Sequence, residues 1–528
     1  MTIAFVFFNS PASYLSWNQM GTIISSLKKE HVVKTYHVVE ENIIQIANEI
    51  NGICPELLVI YLKFKTYVIM QNFISHLYVN HICACHTLPT IFPIELLEKN
   101  SKINSAIVGE VENTVIELAH RINQKSTFEG LSGVAYRNAN NEIILNSKRI
   151  EPVNIDRLPY ADRESFKTNK KFFHILASRG CYGRCSFCTR DIVYKYNEPK
   201  HGQRFRRIND VIAEIELLVK KYDCKYIGFS DSTFCGKIDG ENGLIRLKQL
   251  HDALESKDFR IEYFINLRSE QITPPVIEAL KTLVNTGLSM VFVGVESFEE
   301  SDLCLYNKMA KVEQNISAIC LLSEINNCLE NGYLLEIKYG LINFNPYSTI
   351  AGIKNNIDIL VKYQVQVSPK DITNHVDIRY GTTLYQKMID QGVCSSQIRL
   401  DNNSVPYKFL NEDVNNLYLR INELFLNYNI VIPEGFTSLF NRYIYFFGQT
   451  EFSKEIREKY QKLLNKQSYF TYKCFYYVLH TIDDNVALLD NKSIDDEKEE
   501  LETVFKDFQN KYIRLVSELY KINELSYY

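Results

Sequence analysis

The first 120 residues of this chain alternate between two hydrophobic periods. Residues 3–8 form an unbroken apolar run, and residues 19–29 follow with apolar positions spaced as on a helix. Residues 33–39, 56–62, 82–85 and 105–109 read as further strands, with helices predicted over 42–50 and 67–77. Uninterrupted apolar runs suit strands buried on both faces, and strands alternating with helices imply a parallel, doubly wound sheet. The pattern therefore predicts an α/β domain over residues 1–126.

Residues 127–168 break that rhythm. Gly130 and Gly133 lead into an Asn-rich turn near 138–141, which predicts a hairpin, and Pro152 and Pro159 mark an extended connector. From 169 to 395 the alternation resumes with longer helices. Strands are predicted at 173–177, 226–230, 261–267, 290–295, 335–342 and 375–379, with helices at 211–221, 244–254, 275–286 and 350–362. Six β/α units predict a partial (β/α)6 barrel with its site at the strand C-termini. Residues 396–528 turn helical and rich in Tyr, Phe and Lys, with a charged run at 495–507. They predict a mainly helical C-terminal domain, expected to cover the barrel mouth and shape substrate choice. The aromatic clusters at 443–447 and 475–477 read as helix-packing core.

Composition narrows the function classes. Hydrophobic residues at 46% and charged residues at 23% describe a folded chain, and 528 residues exceed one ordinary core. A net charge of −4 supplies no basic field, which disfavours a general nucleic-acid binder. The start of the chain lacks the basic head of a signal peptide, and no long uncharged apolar stretch predicts a membrane span. The expected compartment is the cytoplasm.

Most of the 13 cysteines stand singly in apolar stretches, where a free thiol packs as a small hydrophobe. Cys83 and Cys85 lie two apart on a predicted strand and share a face; packing is the favoured reading, and His86 beside them reads as a loop histidine. Cys181, Cys185 and Cys188 differ, forming a C-x-x-x-C-x-x-C segment directly after the first barrel strand. Three thiolates on one loop hold three irons of a four-iron cluster and leave the fourth iron open. Gly180 and Gly183 allow the backbone to wrap tightly. Zinc would need a fourth ligand, and neither His174 nor His201 has the required spacing.

The cysteine trio, with Phe187 before its last member, resembles the signature of the radical SAM superfamily. That resemblance implies a single 4Fe–4S cluster on Cys181, Cys185 and Cys188, with S-adenosylmethionine bound at the open iron. It further implies an external one-electron reductant of flavodoxin or ferredoxin type, and a deoxyadenosyl radical that abstracts a substrate hydrogen. Further elements extend the likeness. Ser230 and Asp231 close the second strand, where relatives carry an acidic pair; here Ser232 stands in the second place. Asn266 and Arg268 close the third strand, and Gly294, Glu296 and Ser297 match a Gly-x-Glu-Ser element ending the fourth. The implied cofactor contacts are Phe187, Ser230, Asp231, Arg268, Glu296 and Ser297. S-adenosylmethionine carries an amine, a carboxylate and ribose hydroxyls, which acceptors such as Glu296 and Asp231 and donors such as Arg268 and Ser297 suit. No catalytic acid, base or hydrogen donor is identified.

Segments 339–346 and 379–385 resemble elements of the superfamily's cobalamin-binding branch, as do residues 108–114 and the connector at 153–159. The first domain accordingly resembles a flavodoxin-like, cobalamin-binding domain. The Asp-x-His-x-x-Gly element of many cobalamin proteins is absent from the loop at 9–17, so a cobalamin-binding and a degenerate domain both stay open. With cobalamin, the implied reaction is methylation of an unactivated carbon in a small-molecule or peptide substrate. Without it, peptide epimerisation, cyclisation or rearrangement is implied, and Cys235 and Cys304 are the thiols to test as hydrogen donors. A non-catalytic binding protein would not need all three thiolates. Wide spacing of the remaining cysteines predicts no second cluster, and methylthiolation of transfer RNA is disfavoured.

Overall fold

Strand β1 (Thr2–Phe8) shows in the computed structural model why its sequence carries no polar residue after Thr2. Ala4, Val6 and Phe8 enter one hydrophobic core, and Ile3, Phe5 and Phe7 enter another on the opposite face. The structure describes residues 1–8, 14–165, 171–190, 192–197, 202–237, 242–329, 331–426, 432–483 and 492–522. The loop at 9–13, His201 and the expected boundary at 168–169 lie outside the described residues.

After β1 come α1 (Tyr14–Leu27), β2 (Val32–Val38), α2 (Ile43–Ile53), β3 (Leu57–Tyr61), α3 (Tyr67–Ser75), β4 (Ile82–Cys85), α4 (Thr87–Ile91), α5 (Pro93–Lys99), β5 (Ser105–Ile107) and α6 (Glu112–Asn123). The parallel strands run in the order β2-β1-β3-β4-β5, the flavodoxin-like order, whose switch point lies between β1 and β3. Cys83 and Cys85 point into the same core and are fully buried, which raises the Cys83 thiol to about 12 and leaves it a packing group. The hairpin β6 (Val134–Arg137) and β7 (Ile143–Leu145) forms as expected but pairs antiparallel onto β5. It extends the first sheet to seven strands and covers the edge that the three-residue β5 would leave open.

The second sheet contains β8 (Phe172–Ile175), β11 (Tyr226–Phe229), β12 (Glu262–Arg268), β13 (Leu288–Glu296) and β14 (Glu336–Leu341), all parallel and in chain order. The short strands β9 (Ser178–Arg179) and β10 (Arg204–Phe205) pair only with each other, on either side of α7 (Ile192–Asn197). Helices α8 (Ile208–Tyr222), α9 (Asn242–Glu255), α10 (Pro274–Asn285), α11 (Glu300–Leu305), α12 (Val312–Ser323) and α13 (Ile350–Lys362) make the crossovers. The expected sixth strand at 375–379 is reduced to one parallel bridge, Phe344 with His375. Its backbone turns to another partner: Val376 N–H donates to Phe344, but Ile378 accepts from Val405 N–H.

Two short helices, α14 (Pro369–Thr373) and α15 (Thr383–Asp390), lead to the C-terminal helices α16 (Glu412–Phe425), α17 (Phe436–Phe447), α18 (Glu451–Asp483) and α19 (Lys492–Lys521). Lys466 pairs with Glu500 at 2.6 Å and Lys511 with Glu455 at 2.8 Å, so the two long helices run antiparallel. Helix α17 buries Phe436, Leu439, Phe440 and Tyr443 at helical spacing. Its polar residues meet the beginnings of the barrel strands: Ser438 bonds Ser289 at 2.7 Å, Asn441 brackets Leu334, and Arg442 donates to the Arg260 carbonyl at 3.1 Å. Helix α17 thus closes the floor of the barrel, whereas the C-terminal segment was expected to cover the mouth. Of the two aromatic clusters, Phe475 is fully buried as core, whereas Tyr445, Phe446 and Phe447 are exposed.

The mouth faces the first domain instead. Tyr306, Ile342, Tyr380 and Leu384 of the barrel share one hydrophobic core with Leu62, Phe64, Leu88 and Phe92. The carboxyl ends of the two parallel sheets therefore confront each other. Among the described residues, no helix is long and apolar enough to cross a membrane.

Candidate functional site

The cysteine loop leaves β9 and is clipped at its base by the β9–β10 ladder. Gly180 makes the clip possible: its φ is +83°, and a Cβ there would stand 2.6 Å from the Gly202 carbonyl oxygen. Ser186 ties the loop to the α11 turn, its N–H donating to Tyr306 at 2.8 Å and its hydroxyl to Leu305 at 2.7 Å. Cys181, Cys185 and Cys188 are all partly exposed on this loop. Gly183 N–H donates to the Cys181 sulfur at 3.3 Å, and the Arg268 guanidinium donates to the Cys185 sulfur at 3.3 Å. Iron–sulfur clusters take cysteine sulfurs as ligands and accept hydrogen bonds at them. The donor set fits a 4Fe–4S cluster with one iron left free of protein.

Arg179, two residues before the first cysteine, is buried against the first domain. It bonds Glu110 at 2.9 Å and also Glu112, while Arg204 reaches Glu110 at 2.9 Å. The base of the cysteine loop is therefore anchored on the segment linking β5 to α6. No sequence signal pairs these charges, because the contact spans 69 positions.

Around the loop, the strand ends divide into two groups. Arg268 reaches Cys185 directly. Its Nε donates to Glu270, and Tyr182 lies under its guanidinium at 5.2 Å while donating to Glu270 at 3.1 Å. Phe187 packs edge-on against Tyr306 at 5.4 Å. Glu296 pairs with buried Lys308 at 2.9 Å, and its backbone sits at φ +71°, where the pairing of β13 with β14 slips by one residue. Such a strained bulge re-aims a side chain at a working site. The carboxylate lies over Gly294 and Gly340, where a Cβ would come within 2.8 Å and 3.5 Å of its oxygens.

The other residues singled out from the sequence are engaged inside the walls. Asp231 accepts from the Ala177 N–H at 3.0 Å and from the Ser178 hydroxyl; complete burial pushes its carboxyl up to about 6 despite these donors. Ser230 bonds His174 at 2.8 Å, and Ser297 donates to Asp302 at 2.7 Å. Tyr182, Glu270 and Lys308 were missed; the first two had a possible signal in their position within or beside the quoted motifs, Lys308 had none. Cys235 is buried, which pushes its thiol up to about 12, and Cys304 is exposed on α11.

On the facing domain, His86 uses both ring nitrogens, one on Gln19 at 2.9 Å and one on Thr87 at 2.8 Å, and stacks on Tyr61 at 4.2 Å. Burial holds it neutral, as expected of a satisfied loop histidine. Gln19 also bonds Tyr194 of α7, joining the two domains. Lys63 follows β3 at the switch point, where burial lowers its ammonium to about 8.

Residues 175–329 match the radical SAM superfamily. The 4'-phospho-dehydrooxetanocin synthase of Priestia megaterium is 24% identical over 70% of this chain and 51% of its own length, so the chain spans about half of that relative. In fold, 98% of the chain superposes on 80% of the cobalamin-dependent S-adenosylmethionine radical enzyme OxsB, with aqua-cobalamin and S-adenosylmethionine bound, at a TM-score of 0.67 and 17% identity. A radical S-adenosylmethionine methyltransferase, TsrM from Kitasatospora setae, superposes over 75% of this chain and 77% of its own at a TM-score of 0.59 and 15% identity. At these identities the structural likeness is one of fold.

Proposed function

We propose, from the match of residues 175–329 to the radical SAM superfamily, that the protein methylates an unactivated carbon with the help of cobalamin. The supporting observation is the loop itself: three sulfurs at the carboxyl end of the first barrel strand, two of them receiving hydrogen-bond donors. When bound there, a reduced 4Fe–4S cluster supplies the electron that cleaves S-adenosylmethionine to a deoxyadenosyl radical.

The chain's own residues then have separable tasks. Arg268 Nη2 and Glu270 Oε2 are buried without partners, so they are assigned to the carboxylate and amine of S-adenosylmethionine. Glu296, held by Lys308, is assigned to the same cosubstrate. Ser230, Asp231 and Ser297 hold the strand ends, and Phe187 with Tyr306 forms an apolar wall. Phe64, Phe92 and Tyr380 keep water from the mouth, which radical chemistry requires. Cobalamin would lie outside the β1–β3 switch point, against Lys63 and the segments 86–91 and 380–384; it would supply a methyl carrier. His86 is not assigned as its axial ligand. OxsB and TsrM, similar in fold, support this reading.

A second reading is a cobalamin-independent rearrangement, which the engagement of both His86 ring nitrogens on protein groups favours. The substrate is assigned only to small molecules or peptides, and the electron to an external one-electron reductant.

Anaerobic reconstitution with iron, sulfide and hydroxocobalamin, followed by labelled S-adenosylmethionine and mass analysis, tests this. Retained corrinoid with S-adenosylhomocysteine and deoxyadenosine supports methylation. Deoxyadenosine without corrinoid supports the rearrangement. A protein that takes up no iron refutes both.

A further inference from the structure

Arg268 occupies a slot that the chain builds at some cost. Its guanidinium lies on the ring of Tyr182, bonds Glu270 through Nε and directs Nη1 to the Cys185 sulfur at 3.3 Å. Glycine at 183 leaves room for this placement: a Cβ there would stand 2.3 Å from Nη1 and push the guanidinium aside. A guanidinium keeps its charge in a protein, and Glu270 pairs with it here. A buried cation is therefore held in hydrogen-bond contact with one cysteine of the trio.

We propose that Arg268 sets the reduction potential of the cluster held by Cys181, Cys185 and Cys188, acting through the Cys185 sulfur. The proposal rests on the reading of the trio as a cluster site. Reduction adds one electron, taken from an external reduced flavodoxin- or ferredoxin-type donor; no bond is made or broken and no proton moves at the arginine. The added negative charge is shared with the ligand sulfurs. A cationic donor at one of them stabilises the reduced state more than the oxidised one. Hydrogen bonds to sulfur and net charge are established determinants of cluster potential. Glu270 opposes the effect, since its carboxylate offsets part of the guanidinium charge. Tyr182 and Gly183 act as positioning residues.

The test is an EPR-monitored redox titration of the reconstituted full chain without S-adenosylmethionine, with iron content measured alongside. In Arg268→Gln the midpoint should move to more negative potential at unchanged iron content, and Arg268→Lys should recover part of the shift. Glu270→Gln should move it the other way. Gly183→Ala, which displaces Arg268 while keeping its charge in the chain, should move it to more negative potential. Unchanged midpoints in Arg268→Gln and Glu270→Gln at full iron content overturn the proposal while leaving the cluster site intact. Failure of the wild-type chain to take up iron overturns the cluster reading and the proposal with it.

Discussion

Arg179 and Glu110 meet at 2.9 Å, both buried, although one belongs to the barrel and the other to the first domain. The contact fixes the base of the cysteine loop on a neighbouring domain. Removing Glu110 leaves Arg179 with Glu112 alone and takes the same carboxylate from Arg204, at a cost below the roughly 3–5 kcal/mol of a buried charge left wholly unpaired. Glu110→Ala should therefore lower the free energy of unfolding, and with it the denaturant midpoint, and loosen the loop. Chemical denaturation, with iron content after reconstitution, checks both.

Replacement of Cys181, Cys185 or Cys188 by alanine should abolish the visible absorption of the reconstituted cluster. Cys83→Ala serves as the contrast, since that thiol only fills core. It should keep full iron content and lose about 1–2 kcal/mol of stability to the small void. Iron analysis separates the two kinds of cysteine.

Glu296 holds a left-handed backbone conformation that costs about 1 kcal/mol or more in a non-glycine residue. Glu296→Gly should relieve that strain but leave the buried Lys308 ammonium without its carboxylate, so the melting temperature should fall while S-adenosylmethionine binding weakens. Loss of one hydrogen bond to a charged group, about 1.5–3 kcal/mol, predicts a tenfold or greater loss of affinity. Equilibrium dialysis and thermal denaturation read the two effects on one sample. A variant that loses stability and keeps affinity would contradict the assignment.

Asp231 gives a pH signature. Burial raises its carboxyl to about 6 from a usual value of 3.8. Between these values the folded state binds a proton that the unfolded state has lost, so stability falls as pH rises through the window. The change is on the order of 3 kcal/mol. Asp231→Asn should remove it, so the stability difference, variant minus wild type, should grow from pH 4 to pH 6 and then level off. Denaturation series at several pH values test the slope.

Sequence alone determined the β/α alternation of both sheets, because uninterrupted apolar runs such as Ile3 to Phe8 have only doubly buried strands to form. It also determined the cysteine trio and its flanking glycines, because ligand spacing and loop geometry are local. Tertiary structure decided the rest. Helix α17 is amphipathic in any setting, and only packing showed that it closes the barrel floor and leaves the mouth to the first domain. Arg268 and Glu296 end their strands at the site, while Asp231 and Ser297 spend their polar groups inside the walls. Which of these outcomes a polar residue meets depends on partners distant in sequence, such as Ser178 for Asp231 and Asp302 for Ser297.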